Sequence, residues 1–284
     1  MIFLADGFRL KKVTEHYSTR CHIDFVNMRL KADVTSCDNW RQLIMFLEQI
    51  ANKHHLSKIL IISQENQWQD ILEWGYQIEA INPYHFSGQP GYYMSKFLSA
   101  KRLLQPNFQK EQQVLNKVFN VKKANLKELH SKFTNKVAVE EDIPEMAKLF
   151  DDVFATYPTP ISEETYLKET IFANHLYMVI KNSKQEIVSA ASAELDKKNG
   201  CAEITDCATD PTYRGKGLMY HLINGLENAL RRRNYISAYS IARANSPGIN
   251  TIFKKKQYRF CGKLINNCHI CGNFENMHLW AKKL

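Results

Sequence analysis

Apolar residues recur at helical spacing in three stretches of the second half of this chain, and short apolar runs lie between them. The helical stretches begin near Asp142, near Glu163 and at Leu218, and the runs between them alternate as strands do. Pro144 suits the first turn of a helix that Asp142 caps. A fourth, shorter helix is predicted over about Pro247–Lys255. The pattern thus predicts the order β-α-α-β-β-β-α-β-α-β-β, which is an α/β domain over residues 134–284.

The first half has a weaker pattern. Loose alternation over residues 2–34 predicts two or three strands, and Asp38 is placed to cap a helix. The apolar run Lys58–Ser63 predicts a buried strand, and a short helix and two strands follow. Residues 106–133 are polar and helix-forming, so we expect a helical linker between a smaller domain, 1–105, and the larger one.

A faint internal repeat connects the two halves. The first half closes with a short helix, a strand, a turn and the run Tyr93–Leu98, and the second closes with a helix, a strand, a turn and the run Met277–Leu284. We hypothesise that residues 1–105 are a degenerate copy of the second domain. A shared strand order would support this hypothesis, and unrelated strand orders would contradict it.

The composition is that of a globular protein with a basic balance. Apolar residues make up 44% of the 284 residues, and 38 basic against 29 acidic side chains give a net charge of +9. This balance fits nucleic acid, a membrane surface or a polyphosphate cofactor, and it does not choose among them. There is no apolar run of about 18 residues and no signal-like N-terminus, so we expect a cytoplasmic protein with no membrane partner.

The seven cysteines indicate neither a disulfide framework nor a metal site. They are scattered, and only Cys268 and Cys271 form a CxxC pair, with no second pair and no histidines at zinc-finger spacing. We therefore expect reduced thiols and no metal.

The strongest chemical signal is the run Arg214-Gly215-Lys216-Gly217, which lies between a predicted strand and the helix that begins at Leu218. A helix start presents unpaired backbone N–H groups and the positive end of the helix dipole. Glycines let a phosphate approach that backbone closely. The run is neither a Walker loop nor GxGxxG, and it predicts an anion cradle.

Aligned from Arg214 to Met219, this run resembles Q/R-x-x-G-x-G/A, the phosphate-binding motif of the GNAT acetyltransferase superfamily, with Met219 in place of the last Gly or Ala. The resemblance implies the GNAT fold, an α/β (α+β) fold with a mixed, mostly antiparallel sheet. It also implies acetyl-CoA as co-substrate, with its pyrophosphate on the backbone of residues 214–219. The strand before the loop would pair with the pantetheine arm through Cys207, Ala208 and Thr209.

Two longer stretches are similar to the β-lysine N6-acetyltransferase family in particular. They are Ala202-Glu-Ile-Thr-Asp-Cys-Ala208 and the run of residues 264–280. This resemblance covers the full length of the chain. It implies that acetyl-CoA and β-lysine give N6-acetyl-β-lysine, a compatible solute in osmoadaptation, and that the partner is a small-molecule amine.

Two carboxylates precede the cofactor loop. The substrate amine is protonated near neutral pH, since its reference pKa is about 10.4, and a carboxylate within reach can accept the proton. We predict that Glu203 is this general base and that Asp206 binds an ammonium group or supports the base. Strand alternation alone puts the two on opposite faces, and a bulge between them would restore one face.

Other roles come from the resemblance. GNAT proteins often protonate the leaving thiolate with a tyrosine, but that position here is Phe253, which we expect to contact the cofactor. Tyr258 is either a substitute for the tyrosine or a core aromatic. Asn245 matches an asparagine that contacts the cofactor. A backbone N–H near Cys207 or Ala208 would bind the thioester oxygen.

β-Lysine carries one carboxylate and two ammonium groups. Arg243 is our candidate for the carboxylate, because arginine offers a bidentate fork, and Glu275 is our candidate for the second ammonium group.

Two alternatives stay open. Lysine, ornithine, a polyamine or a protein lysine fits the cofactor loop equally well as acceptor. The more remote alternative is a non-catalytic regulator that senses acyl-CoA and binds nucleic acid. The preferred interpretation has no nucleic-acid partner and leaves a homodimer open.

Overall fold

The computed structural model describes residues 2–4, 7–122, 128–270 and 272–284. In these residues the chain builds one sheet of fourteen strands, with helices packed on its surfaces. Cys271, and with it the CxxC pair, lies outside the described residues. No described helix is long and apolar enough to cross a membrane.

The first half contributes seven strands and three α-helices among the described residues. In chain order they are β1 (Ile2–Leu4), β2 (Gly7–Val13), β3 (Tyr17–Asp24), β4 (Arg29–Cys37), α1 (Trp40–Lys53), β5 (Lys58–Ser63), α2 (Trp68–Leu72), β6 (Gln77–Phe86), β7 (Gln89–Phe97) and α3 (Phe108–Phe119).

The second half contributes the other elements of the described chain. They are β8 (Thr134–Val137), α4 (Ile143–Val153), α5 (Glu164–Ala173), β9 (His175–Lys181), β10 (Ile187–Asp196), β11 (Cys201–Thr209), α6 (Leu218–Arg232), β12 (Ser237–Arg243), α7 (Pro247–Lys255), β13 (Arg259–Ile270) and β14 (Asn273–Lys283).

The strands of the two halves follow the same order. In the first half, β1 to β4 are antiparallel neighbours, β4 pairs with β5 in parallel, and β7 and then β6 continue the sheet. In the second half, β8 to β11 are antiparallel, β11 pairs with β12 in parallel, and β14 and then β13 continue the sheet. This shared order supports the hypothesis of a degenerate copy, and the predicted mixed, mostly antiparallel sheet is confirmed.

The two halves join where β6 meets β13. Gly262 pairs there with Ala80. A Cβ at Gly262 would come 2.4 Å from the carbonyl oxygen of Glu79, and its φ of +144° disfavours other residues, so the backbones need glycine to approach this closely. The apolar cluster between the halves includes Leu60, Tyr93, Leu264 and Leu279.

A buried ion pair also lies at this junction. Lys58 Nζ lies 2.6 Å from Glu79 Oε2, and both side chains are almost fully buried. Glu79 also accepts from the backbone N–H of Ile265 at 2.6 Å and from Ser95 Oγ at 2.5 Å. Burial lowers the pKa of Lys58 to about 8. The pair connects the first half to β13 of the second.

Two local expectations change in the structure. Asn39, rather than Asp38, is the N-cap of α1, because its side chain accepts from the N–H of Gln42. The stretch predicted as a linker forms α3, whose residues Val114, Leu115 and Val118 are buried in the core of the second half. The amphipathic spacing of α3 gives it an apolar face, and the second half covers that face.

Candidate active site

A cavity opens where two parallel strands separate. β11 and β12 pair only from Cys201↔Ser237 to Glu203↔Tyr239 and then diverge. Beyond this point a cavity of about 600 Å³, here called the first cavity, fills the gap. It is lined on one side by residues 204–207 and Thr209 and on the other by residues 240–243. The loop before α6 closes its far end.

The glycine loop that the sequence predicts as an anion cradle lies at that end. Gly215 and Gly217 have φ of +78° and +77°, in the left-handed region, and a Cβ at either position would meet nothing within 4 Å. Gly217 is the N-cap of α6 and provides no side chain to bond the first N–H groups of the helix. The loop therefore offers open space beside unpaired donors, which fits a pyrophosphate.

The structure shifts the alignment of the glycine motif. The two glycines with positive φ are Gly215 and Gly217, and Met219 is a buried residue within α6. Placed on these glycines, the motif Q/R-x-x-G-x-G/A begins at Thr212 rather than at Arg214. Met219 therefore does not replace the last Gly or Ala of the motif, because Gly217 occupies that position. Met219 still lines the cavity.

Basic side chains of the loop are held against the protein. Arg214 Nε donates to the carbonyl of Thr209 at 3.2 Å, and Lys216 Nζ lies 4.4 Å from the centre of the Tyr213 ring. Tyr213 in turn accepts from Asn182 Nδ2 at 3.0 Å. These contacts fix the loop without using its backbone donors.

A bulge in β11 brings the two predicted carboxylates to one face. The register with β10 shifts between Ala190 and Ser192, and Asp206 has a φ of +49°. Asp206 accepts from Ser192 Oγ at 2.6 Å, and Ser192 shares its face of β10 with Glu194, the cross-strand neighbour of Glu203. The predicted bulge is thus present.

Glu203 lies where the pairing of β11 and β12 ends. It hydrogen-bonds with the side chain of Tyr239. Burial raises the pKa of Glu203 to about 7; Glu194 and Asp206 also raise it, whereas Lys31 of β4 lowers it. A carboxyl group with this pKa accepts a proton effectively near neutral pH.

Asp206 is more deeply buried. Burial raises its pKa, and hydrogen bonds from Ser192 and Tyr157 oppose that change. Tyr157, which follows α4, also lines the first cavity, so Asp206 and Tyr157 form one polar group on its wall.

The strand residues predicted to contact the cofactor divide into two groups. Cys207 and Thr209 line the first cavity, whereas the side chain of Ala208 is buried in the core beneath α4. Burial raises the pKa of Cys207, so its thiol is neutral and is no nucleophile at neutral pH. Asn245 lies next to Ser246, which lines the cavity, and its Oδ1 is buried without a hydrogen-bond partner in the described residues.

The structure places Phe253 and Tyr258 in the core rather than at the cavity. Phe253 is fully buried in the core of the second half, and Ile249 and Ile252 of α7 line the cavity in its place. Tyr258 is buried in the same core, where its ring packs 5.0 Å from that of Phe253. Neither ring is part of the cavity wall. Phe253 lies on the buried face of α7, and Tyr258, which follows α7, is in the core position that the sequence left open for it.

The two predicted substrate ligands bind each other. Arg243 Nη2 lies 2.9 Å from Glu275 Oε1. In this structure each is the partner of the other, and their roles as ligands for a carboxylate and an ammonium group stay predictions. The sequence did not predict this ion pair, because Arg243 and Glu275 lie far apart in the chain and meet only where β12 pairs with β14.

Sequence reasoning also missed a second cavity, of about 550 Å³, between the two halves. Tyr239 and Glu194, the neighbours of Glu203 on either side, line it. Glu203 therefore lies at the boundary of the two cavities.

Comparison with known proteins agrees with this arrangement. The Acetyltransferase (GNAT) family model matches residues 143–251, so the fold is that of a GNAT acetyltransferase. A β-lysine N(6)-acetyltransferase of Methanosarcina mazei is 34% identical over 259 residues, which are 84% of this chain and 95% of the relative. A second one, of Methanococcus maripaludis, is 34% identical over 85% of this chain and 88% of its own length. The chain belongs to the β-lysine N6-acetyltransferase family, as the sequence predicted.

Among solved structures, a spermidine N-acetyltransferase from Vibrio cholerae matches 54% of this chain and 95% of its own, with 16% identity and a TM-score of 0.47. In the described residues, no group of three or more His, Cys, Asp or Glu side chains is placed to hold a metal ion.

Proposed function

We propose that this enzyme transfers the acetyl group of acetyl-CoA to the N6 amine of β-lysine. The observation that carries the proposal is the position of Glu203, at the boundary between the first cavity, which ends at the anion cradle, and the second cavity between the halves. The names of the two relatives supply the acceptor. The osmoadaptive role, the cytoplasmic location and the homodimer stay predictions from the sequence.

In this proposal the first cavity holds acetyl-CoA. The backbone N–H groups of residues 214–219 bind the pyrophosphate, and Cys207 and Thr209 lie beside the pantetheine arm. The buried, unpaired Oδ1 of Asn245 is a further acceptor for the cofactor at the edge of the cavity.

Glu203 then removes the proton that the ammonium group must lose before it attacks the thioester carbonyl. Nitrogen bonds to the carbonyl carbon, the carbon–sulfur bond breaks, and the proton goes to Glu203 directly or through one water. A backbone N–H near Cys207 or Ala208 stabilises the oxygen as charge builds on it. Asp206, held by Ser192 and Tyr157, adds negative charge that favours an ammonium group nearby.

The leaving thiolate takes its proton from water. Phe253 has no ionisable proton and Tyr258 is enclosed in the core, so neither supplies a proton at the cavity. Direct transfer without an acyl-enzyme follows from the neutral thiol of Cys207.

The test is thiol release from acetyl-CoA with β-lysine, α-lysine, ornithine, spermidine and a lysine-rich peptide. Glu203→Gln should lower kcat by about 10²–10⁴-fold, because it removes the general base. The exposed Glu73→Gln is the matched control and should leave kcat unchanged. In the wild type, kcat/KM should rise with pH through about 7, because the base acts only when deprotonated, and this dependence should flatten in Glu203→Gln.

Full activity of Glu203→Gln would show that another group is the base. Preference for an amine other than β-lysine would retain the fold and the cofactor and reject the acceptor. No turnover with any amine would favour the acyl-CoA-sensing regulator.

A further inference from the structure

The second cavity has walls of opposite charge. Strands of the first half contribute Arg9, Lys11, Arg20 and Lys31, with one carboxylate, Asp33, that is paired with Arg20. The second half contributes Glu194 and Asp196. A cavity between a cationic and an anionic wall suits a ligand that carries both kinds of charge.

The charged residues stand in two rows across the strands. In the first half, Arg9 pairs with His22 and His22 pairs with Lys31, so the three side chains share a face. In the second half, Glu203 lies between Glu194 and Tyr239 in the same way. Arg9, His22, Lys31, Glu194 and Tyr239 all line the second cavity.

Lys31 is the cation of this wall best placed to bind an anion. It is half-buried, and in the described part of the chain it forms no salt bridge within 4 Å. Arg20, by contrast, is already paired with Asp33 at 3.1 Å. Lys31 lies close enough to Glu203, His22 and His85 to lower the pKa of each.

We propose that Lys31 binds the carboxylate of the acceptor, so that the first half of the chain selects a diamino acid over a plain diamine or polyamine. This inference rests on the proposed function and adds the residue that binds the carboxylate of the acceptor. With the carboxylate at Lys31, the amines point toward the acidic wall, one to Glu203 and the other to Glu194 or Asp196. A polyamine has no anion for Lys31 and meets an uncompensated positive charge.

The test compares β-lysine with pentane-1,4-diamine, which is β-lysine without its carboxylate. Lys31→Met should raise the KM for β-lysine by about 10–100-fold, since a charge-assisted hydrogen bond contributes about 1.5–3 kcal/mol. Because Lys31 also lowers the pKa of Glu203, kcat is compared on the alkaline plateau of the pH profile, where it should change by less than about threefold. The KM for the diamine should stay the same or fall. Lys31→Arg keeps the charge and should retain most of the affinity for β-lysine.

Lys12→Met is the matched control, because Lys12 is an exposed lysine of β2 that is not part of the cavity wall, and it should alter neither KM. Calorimetric titration of β-lysine into both Lys31 variants should follow the same order as the KM values. This binding readout does not depend on which amine is acetylated fastest.

Equal losses on β-lysine and the diamine, or no loss on either, would overturn the role of Lys31. Weak turnover of β-lysine by the wild type, with β-lysine binding that still depends on Lys31, would instead reject β-lysine as the acceptor and keep the carboxylate site.

Discussion

Each half has one helix that connects two parallel strands: α1 connects β4 to β5, and α6 connects β11 to β12. These two helices begin in different ways. α1 follows β4 after residues 38–39 only, and the side chain of Asn39 accepts from the N–H of Gln42 at 3.1 Å. α6 follows β11 after residues 210–217, and its N-cap is a glycine with no side-chain bond. The same strand order thus contains one helix whose N-terminus is capped by a side chain and one whose N-terminal N–H groups are free to bind an anion.

This difference explains why two similar halves give one proposed cofactor site. A capped helix start has used part of its donor capacity and has no loop to surround a phosphate. An uncapped helix start that follows a loop with two positive-φ glycines has free N–H donors and also a loop that can surround a phosphate. Connectivity alone therefore does not make a site, because the few residues before the helix decide it.

The largest expected effect on stability comes from replacing Lys58, the first residue of β5, and it is compared with replacing Ser237, the first residue of β12. Lys58→Met leaves Glu79 buried without its cation and should lower the free energy of unfolding by about 3–5 kcal/mol. Ser237→Ala, at the corresponding position of the second half, removes one hydrogen bond to the carbonyl of Tyr84 and should cost about 1 kcal/mol. Chemical denaturation measures both, and similar losses would show that the ion pair does not secure the junction.

A second comparison tests the cradle with two glycines of matched conformation. Gly217→Ala places a Cβ where the phosphate binds and should raise the KM for acetyl-CoA by about 10-fold or more, the equivalent of about 1.4 kcal/mol. Gly75→Ala introduces the same strain at a φ of +78° in the first half and should leave this KM unchanged. Both variants should lose about 1–2 kcal/mol of stability from the left-handed backbone. If Gly75→Ala raised the KM equally, strain rather than the cradle would be the cause.

The smallest effect concerns the closed helix start. Asn39→Ala removes the cap of α1 and should lower the free energy of unfolding by about 1 kcal/mol, with no change in acetyl-CoA affinity. Thermal unfolding with and without acetyl-CoA checks this. A change in the stabilisation that acetyl-CoA provides would connect the first half to the cofactor site.

The sequence predicts the features of the site that depend on neighbouring residues. The cradle follows from glycines before an amphipathic run, and the position of Glu203 follows from its distance along the chain to that loop. The bulge at Asp206 was predicted from the need to bring two carboxylates to one face. These features are local, so the order of residues nearly defines them.

Contacts between strands that are distant in the chain were not predicted, because the order of residues does not show which strands lie next to each other. Arg243 and Glu275 each looked suited to a substrate group, and only the pairing of β12 with β14 shows that they meet. The position of Lys31 opposite the acidic row depends on how the whole sheet curves between its halves. The burial of Phe253 was not predicted, because the spacing of α7 alone does not show which of its residues face the core.

The corresponding positions of Lys31 and Glu203 have a consequence for how the second cavity could be assembled. Each is the third residue of its strand, and each is paired with the third residue of the parallel strand beside it. A homodimer with a two-fold axis through this cavity would present identical residues from both sides, either two lysines or two glutamates. Two halves that differ in sequence can place a cation opposite an anion there, and the cavity thereby gains a direction that distinguishes one end of a dipolar ligand from the other.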